Sequence, residues 1–167
     1  MRKSSRRDKA VAKTIRVYFA APLFTQAEWQ WNLKLASELR KLKLQVILPQ
    51  DRAEPMLTGD ERFDAQTLFH ANVSEIEKCD VVLAVFDHAD PDSGTSWECG
   101  YAYKASRPVI GLRTDLRAGG DDSDRSINLM LSIGCREFLV VPLNKRNDIG
   151  FIARHVRDLI IRTTTAD

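Results

Sequence analysis

The chain has 167 residues, which is enough for one domain with a sizeable core and too few for two. Hydrophobic residues make up 44% and charged residues 29%, the ordinary balance of a globular protein in water, and no stretch is long and apolar enough to cross a bilayer. The net charge of +2 gives no argument for nucleic acid as a partner.

Much of the basic excess lies at the amino terminus. The segment Met1–Lys13 carries six basic residues and a single acidic one, Asp8, and it has no apolar core. We therefore expect residues 1–13 to be a solvated, disordered tail, followed by one domain over residues 14–167. A nucleic-acid-binding arm is the less favoured interpretation of the tail.

The cysteines and histidines exclude several kinds of site. Cys79, Cys99 and Cys135 are odd in number, widely spaced and embedded in apolar sequence, which favours reduced thiols in a cytoplasmic protein. The three histidines have no metal-ligand spacing, and the chain has neither a glycine fingerprint for dinucleotides nor a P-loop lysine motif. We therefore expect no metal and no cofactor, and hydride and phosphoryl transfer are disfavoured.

In chain order, short apolar strands alternate with longer helical patterns. The predicted strands are Ile15–Ala21, Leu44–Leu48, Val81–Phe86, Pro108–Leu112 and Phe138–Val141. The predicted helices are Gln26–Lys43, Phe63–Lys78, Thr95–Ala105, Ile127–Leu131 and Ile149–Arg162. Two polar stretches with glycine, Gln50–Glu61 and Arg113–Arg125, are predicted to be loops.

This alternation predicts an α/β fold with a parallel sheet of about five strands and helices on both faces. Right-handed crossovers make a doubly wound, flavodoxin-like strand order the expected one. In such sheets ligands bind at the carboxyl ends of the strands. Polar and aromatic residues concentrate at the corresponding positions, which are Ala20–Phe24, Pro49–Arg52, Asp87–Glu98 and the loop after Leu112.

The segment Asp92–Ala102 carries the strongest chemical signal. Asp92 or Ser93 can cap the helix that follows, and Gly94 lets a ligand approach the backbone closely. Glu98 is expected in the first turn, where the helix dipole favours the ionised carboxylate. A charged carboxylate at this edge of the sheet is well placed to act as a nucleophile. The alternative interpretation is an ordinary first-turn glutamate.

Three side chains are predicted to converge at this edge, namely Tyr18, Asp92 and Glu98. A carboxylate that attacks an anomeric carbon forms a covalent glycosyl intermediate, which a second nucleophile opens with overall retention. A phenol can orient that carboxylate by a hydrogen bond, while Asp92 or a polar residue on the preceding helix assists the leaving group. Cys99 points away from its neighbour on a helix and is interpreted as a core residue.

These residues occur in motifs that resemble the nucleoside 2-deoxyribosyltransferases over roughly Ile15 to Val141. The motifs, in the family's order, are Tyr18–Phe24, Cys79-Asp80, Asp92–Thr95 with Glu98 and Gly100–Ala102, and Ile127–Met130. The resemblance implies a flavodoxin-like fold and transfer of 2-deoxyribose from one nucleobase to another through an enzyme-bound sugar. It also implies a homo-oligomer whose sites are shared between subunits.

The resemblance assigns a role to each matching position. It makes Glu98 the nucleophile, Tyr18 its hydrogen-bond partner and Asp92 a group that contacts the base or assists its departure. Asn128 would reach a neighbouring subunit's site and hold the sugar 5′-hydroxyl, although a helix N-cap is an equally good interpretation of this residue. The remaining candidate substrate contacts are Ala21, Phe24, Gln50, Asp51, Gly94 and Met130.

One catalytic candidate departs from the family's pattern. Many members have an aspartate eight residues before the Cys-Asp motif, where this chain has Asn72. An amide cannot deliver a proton at neutral pH, so acid–base work on the base would move to Asp92.

Two alternative functions stay open. The first is an N-glycosidase that hydrolyses deoxynucleosides or their 5′-monophosphates, although the apolar loop Ala20–Thr25 disfavours a phosphate. The second is a non-catalytic nucleotide-sensing module, in which a charged nucleophile would serve no purpose.

Overall fold

The computed structural model describes residues 14–57, 64–121 and 125–165, so the predicted tail at residues 1–13 lies outside the described residues. The strands are β1 (Arg16–Ala20), β2 (Gln45–Ile47), β3 (Val81–Val85), β4 (Val109–Arg113) and β5 (Glu137–Val140). The helices are α1 (Gln26–Lys41), α2 (Gln50–Leu57), α3 (Ala65–Lys78), α4 (Ser93–Lys104), α5 (Leu129–Gly134) and α6 (Ile149–Thr165), with a 3₁₀ turn at Leu143–Lys145.

The five strands form one parallel sheet in the order β2-β1-β3-β4-β5. This is the flavodoxin-like order that the sequence predicts. The central strand β3 is buried along its whole length, because helices cover both faces of the sheet. Val17 of β1 pairs with Val46 of β2 on one side and with Val81 of β3 on the other.

Successive residues of each strand point to opposite faces, and this alternation divides the core into two clusters. On one face, Val17 and Phe19 pack with α1 and α6. On the other face, Tyr18 and Ala20 pack with residues of α3 and α4, and Leu131 of α5 packs against the same cluster. The predicted cover of helices on both faces is therefore confirmed.

The predicted loop at Gln50–Glu61 is wrong for its first part, because Gln50–Leu57 forms helix α2. Pro55 and Gly59 suggested a loop, but the helix start is anchored by tertiary contacts. The buried Gln50 side chain accepts a hydrogen bond from Asn32 of α1 at 3.0 Å and donates one to the Trp29 carbonyl at 3.2 Å. A long-range contact of this kind leaves no trace in local sequence patterns.

Three smaller features complete the fold. Cys79 and Cys99 are buried, Cys135 is partly buried, and all three are free thiols. Asp64 caps α3 by accepting the Gln66 N–H at 3.0 Å. Over the ranges 14–57, 64–121 and 125–165, no helix combines the length and apolar character that a membrane span requires.

Candidate active site

A cavity of about 200 Å³ opens where β1 and β3 end. Its walls are mainly apolar and include Leu23 and Phe24 from the loop after β1 and Leu68 from α3. Among its polar lining side chains are Asn72 and Glu98. An apolar cavity with a few polar groups is the usual form of a small-molecule site.

A second cavity, of about 310 Å³, lies between α3 and α4 and shares Asn72, Gly94 and Glu98 with the first. Phe69 and Trp97 line it, with ring centroids 5.3 Å apart and each residue 48% exposed. Glu98 therefore lies in a wall that both cavities share. Phe69 and Trp97 were not predicted as site residues, since nothing in their spacing distinguishes them from core residues.

Tyr18 and Glu98 are joined by a hydrogen bond. The buried Tyr18 phenol in β1 donates to Glu98 Oε1 at 2.5 Å. Burial and, next, the negative charge of Glu98 raise the pKa of Tyr18, so that this group stays a neutral donor. The two residues are 80 positions apart in the chain and meet only because β1 and β3 are adjacent.

The position of Glu98 corrects one prediction. Helix α4 begins at Ser93, so Glu98 lies in the second turn, beyond the part of the helix where the dipole acts strongly. Burial raises the pKa of Glu98 to about 7, against an opposing hydrogen bond from Tyr18 and with a smaller contribution from Asp92. Burial therefore favours the protonated acid more than water does.

Asp92 caps helix α4, which resolves the predicted choice between Asp92 and Ser93. Its Oδ2 accepts the Thr95 N–H at 2.7 Å and the Thr95 hydroxyl at 3.0 Å. Within the described ranges, Oδ1 takes part in no hydrogen bond, and Asp92 lines the first cavity. A Cβ on Gly94 would lie 3.2 Å from Asp92 Oδ2, so a side chain there would crowd the cap.

Asn72 lies on α3 and lines both cavities. Its Oδ1 is buried, and the described residues offer it no hydrogen-bond partner. A buried acceptor without a partner costs about 1–3 kcal/mol. A bound molecule that presents an N–H or O–H group to this oxygen would remove that cost.

Residues 17–130 match the model of the family described as Nucleoside 2-deoxyribosyltransferase. The chain belongs to this family. Enzymes of this family act on nucleosides, either by transferring the glycosyl group or by hydrolysing the glycosidic bond. No curated protein sequence matches the chain significantly.

Solved structures of similar fold include two 2-deoxyribosyltransferases. The protein from Bacillus psychrosaccharolyticus has 23% identity and a TM-score of 0.63, over 81% of this chain and 90% of that one. The protein from Leishmania mexicana has 20% identity and a TM-score of 0.59, over 84% of this chain and 98% of that one. The Clostridium botulinum CMP N-glycosidase BcmB has 16% identity and a TM-score of 0.56, over 86% and 98%.

Not every candidate substrate contact lies at the cavities. Ala21, Phe24 and Gly94 line the first cavity, as expected. Gln50 and Asp51 line neither cavity, because Gln50 is held by α1 and the exposed Asp51 forms an ion pair with Arg40 at 3.4 Å. Their side chains are therefore used in packing and helix contacts.

Asn128 and Met130 also lie outside the two cavities at Glu98. Asn128 is the N-cap of α5 and accepts the Met130 N–H at 2.9 Å. Met130 is 74% exposed and lines a separate cleft of about 320 Å³ between α4 and α5. No group of three His, Cys, Asp or Glu side chains within the described ranges is arranged to hold a metal ion.

Proposed function

We propose that the protein moves 2-deoxyribose between the nucleobases of deoxyribonucleosides through a covalent intermediate on Glu98. The observation that carries this proposal is the Tyr18–Glu98 hydrogen bond in the wall of an apolar cavity. A carboxylate fixed by a buried phenol has a defined direction of attack, and the family membership of the chain supplies the substrate class.

In the first half of the reaction, a Glu98 carboxylate oxygen bonds to C1′ while the bond between C1′ and the base nitrogen breaks. The base leaves with the bonding electron pair. Tyr18 keeps its proton and orients the carboxylate. Because deoxyribose lacks an electron-withdrawing 2′-hydroxyl, the positive charge that develops at C1′ is less costly, and the nearby carboxylate stabilises it.

In the second half, a nitrogen of the incoming base attacks C1′ and releases Glu98. The departing base has gained one proton and the incoming base has lost one, so the full cycle has no net proton demand. Asp92 is the candidate that gives this proton to the departing base and takes it from the incoming one, because its Oδ1 is not used in capping helix α4. Asn72 donates or accepts a hydrogen bond and carries no proton.

In the proposed binding mode, the base occupies one cavity and the sugar the other, with the glycosidic bond between them. The first has the apolar wall with Phe24 that suits a flat base, and the second has Phe69 and Trp97 for the apolar side of the sugar. C1′ then lies at Glu98, which both cavities share. The three free thiols are consistent with action in the reducing cytoplasm, and the scheme uses no cofactor.

The proposed assembly is a homo-oligomer with shared sites. Asn128 and Met130 do not line the cavities of their own chain. Exposed apolar side chains surround them on α5 and on the neighbouring α4, including Ile133 at 67% and Tyr103 at 70%. A second copy seated on this surface would bury these groups and bring its own Asn128 toward Glu98.

Hydrolysis is the second candidate function. The half-exposed Phe69 and Trp97 leave the second cavity open beside Glu98, so water has a path to C1′. Water would then replace the incoming base in the second half of the reaction. The CMP N-glycosidase of similar fold is named for such a hydrolysis, in its case of a nucleotide.

The test is chromatography of the purified protein with deoxyinosine or thymidine, with and without adenine. Transfer predicts deoxyadenosine only when adenine is present, and none from a Glu98→Ala variant. Release of free base and free deoxyribose regardless of adenine would favour hydrolysis, and deoxynucleoside monophosphates would be tried next. No turnover of either kind would overturn both candidates and favour a nucleotide-sensing module.

A further inference from the structure

Glu28, in the first turn of α1, holds the loop that carries Phe24. Its Oε2 accepts the backbone N–H groups of Phe24 at 3.0 Å and Thr25 at 2.8 Å. The Glu28 N–H in turn donates to Thr25 Oγ1 at 3.2 Å, which completes a capping box. The conformation of Phe24, a wall of the first cavity, therefore depends on this carboxylate.

The other oxygen of Glu28 reaches a different loop. His88 Nε2 lies 2.9 Å from Glu28 Oε1, although the two residues are 60 positions apart. His88 belongs to the segment between β3 and α4 that ends at Asp92. Glu28 thus joins the loop after β1 to the loop after β3.

His88 is itself fixed in place. Its backbone has φ of 80°, a left-handed conformation that few side chains favour. Its N–H donates to Asp115 Oδ2 at 3.1 Å, and its carbonyl accepts from Arg113 Nη1 at 3.0 Å. The imidazole is therefore presented to Glu28 from a segment that is bonded to the end of β4 and the loop after it.

We propose that Glu28 is a positioning residue that ties the loop of Phe24 to the loop after β3 and so holds the Phe24 wall of the first cavity. Asp92 is fixed separately, by its own bonds to Thr95. This inference rests on the proposed function for its kinetic consequence and on geometry alone for its structural one. Glu28 does not line the cavity, so it acts through the two loops. Although burial raises the pKa of Glu28, bonds from Thr25 and His88 lower it below the ordinary value, so the carboxylate is charged at neutral pH.

The expected kinetic signature is a change in binding without a change in chemistry. The wall formed by Phe24 contacts a base equally in the ground state and in the transition state, so its displacement removes uniform binding. The Tyr18–Glu98 hydrogen bond uses no atom of Glu28, so we expect Glu28 variants to retain it. KM for the base should rise while kcat is retained.

The kinetic experiment compares Glu28→Ala, Glu28→Gln and His88→Asn in the transfer assay. Asparagine is chosen because it tolerates the left-handed backbone of residue 88. Glu28→Ala and His88→Asn should each raise KM roughly tenfold, with kcat changed less than about twofold. Glu28→Gln keeps an acceptor for the two N–H groups and should stay within about threefold of wild type. Glu38→Gln, on the exposed side of the same helix, is the matched control.

Amide hydrogen exchange gives a readout that needs no activity. A tether predicts faster exchange in both segments, residues 20–28 and 86–95, in both Glu28→Ala and His88→Asn. A purely local cap predicts that each variant loosens only its own segment, and this result would overturn the proposal. Unchanged KM in both variants would also overturn it. If the wild-type protein has no transferase activity, the proposed function is wrong, and hydrogen exchange alone then tests whether Glu28 links the two loops.

Discussion

Helices α1 and α6 cover one face of the sheet, and helices α3, α4 and α5 cover the other. On the first face the packing is complete within the chain, with Leu35, Leu39, Ile152 and Val156 fully buried. Of the described large apolar side chains on α1 and α6, only Leu33 is markedly exposed. On the second face, α3, α4 and α5 expose several, namely Phe69, Trp97, Tyr103, Leu129, Met130 and Ile133.

The candidate catalytic groups follow the same division, although Thr163 Oγ1 on α6 is also buried without a hydrogen-bond partner among the described residues. Tyr18, Asn72 and Glu98 belong to the second face, where a carboxyl is held at a raised pKa and an amide oxygen is left without a partner. Both features cost folding free energy. The first face therefore provides stability, while the second gives up stability for a site and a surface.

The largest stability effect is expected on the first face, for Leu39→Ala. The substitution leaves a cavity among fully buried side chains and should lower the free energy of unfolding by about 3 kcal/mol. Urea denaturation measures it, with Leu33→Ala on the same helix, 41% exposed, as the control that should cost less than about 1 kcal/mol. Equal losses in the two variants would contradict the view that this face is the stable one.

On the second face, Glu98→Gln should increase stability. The folded pKa of Glu98, about 7, lies above the ordinary 4.5, so between these values the folded chain keeps a proton that the unfolded chain has released. Stability therefore falls as pH rises through this window, and the penalty is complete above it. The variant should be more stable than wild type by about 3 kcal/mol near pH 8 and about equal near pH 4.

The same unfolding measurement at both pH values checks this expectation. Glu38→Gln is the comparison, since Glu38 is ion-paired with Lys41 at the surface and its loss should give no gain at either pH. If Glu98→Gln is less stable than wild type near pH 8, the buried carboxylate does not destabilise the fold, and the second face does not give up stability for the site.

Tyr18→Phe tests the hydrogen bond alone. The ring packing is kept, but Glu98 loses its donor, so kcat/KM should fall about tenfold. Because this bond lowers the pKa of Glu98, the acid limb of the pH–rate profile should move above pH 7. Tyr101→Phe, which loses an exposed bond to Glu77 at 2.6 Å, is the matched control. An unmoved acid limb would show that Tyr18 does not tune the nucleophile.

Much of this arrangement could be predicted from the sequence, because the signals are local. The alternation of strands and helices predicted the sheet, and the spacing around Asp92 and Glu98 predicted a capped helix with a carboxylate at the strand ends. The partner of Glu98 lies 80 residues away, and it was predicted by the resemblance of the motif at Tyr18 to that of the family, which no local pattern supplies.

What could not be predicted depends on tertiary packing. Burial raises the pKa of Glu98, and no local pattern contains that burial, so the sequence indicated only the opposing effect of the helix dipole. Helix α2 is anchored by Gln50 and Asn32, which are 18 residues apart, while its own proline suggested a loop. The contact of Glu28 with His88 joins two loops and was not foreseen for the same reason.

The smallest effect on the chain's own stability is expected from Ile133→Ser, at less than about 0.5 kcal/mol, because this side chain is 67% exposed. If a second copy covers the cleft between α4 and α5, the same change should nevertheless weaken the oligomer, which sedimentation velocity would detect as a smaller species. Leu143→Ser, at 73% exposure and outside the cleft, is the control and should leave the assembly intact.

Activity measured beside sedimentation then decides what the exposed surface does. Loss of transfer together with the loss of mass would mean that the neighbouring copy completes the site, as expected if its Asn128 reaches Glu98. Loss of mass with full activity would leave Asn128 as a helix cap alone, in the role that it has within its own chain. A wild-type protein that sediments as a monomer would mean that the apolar side chains of the second face have another partner.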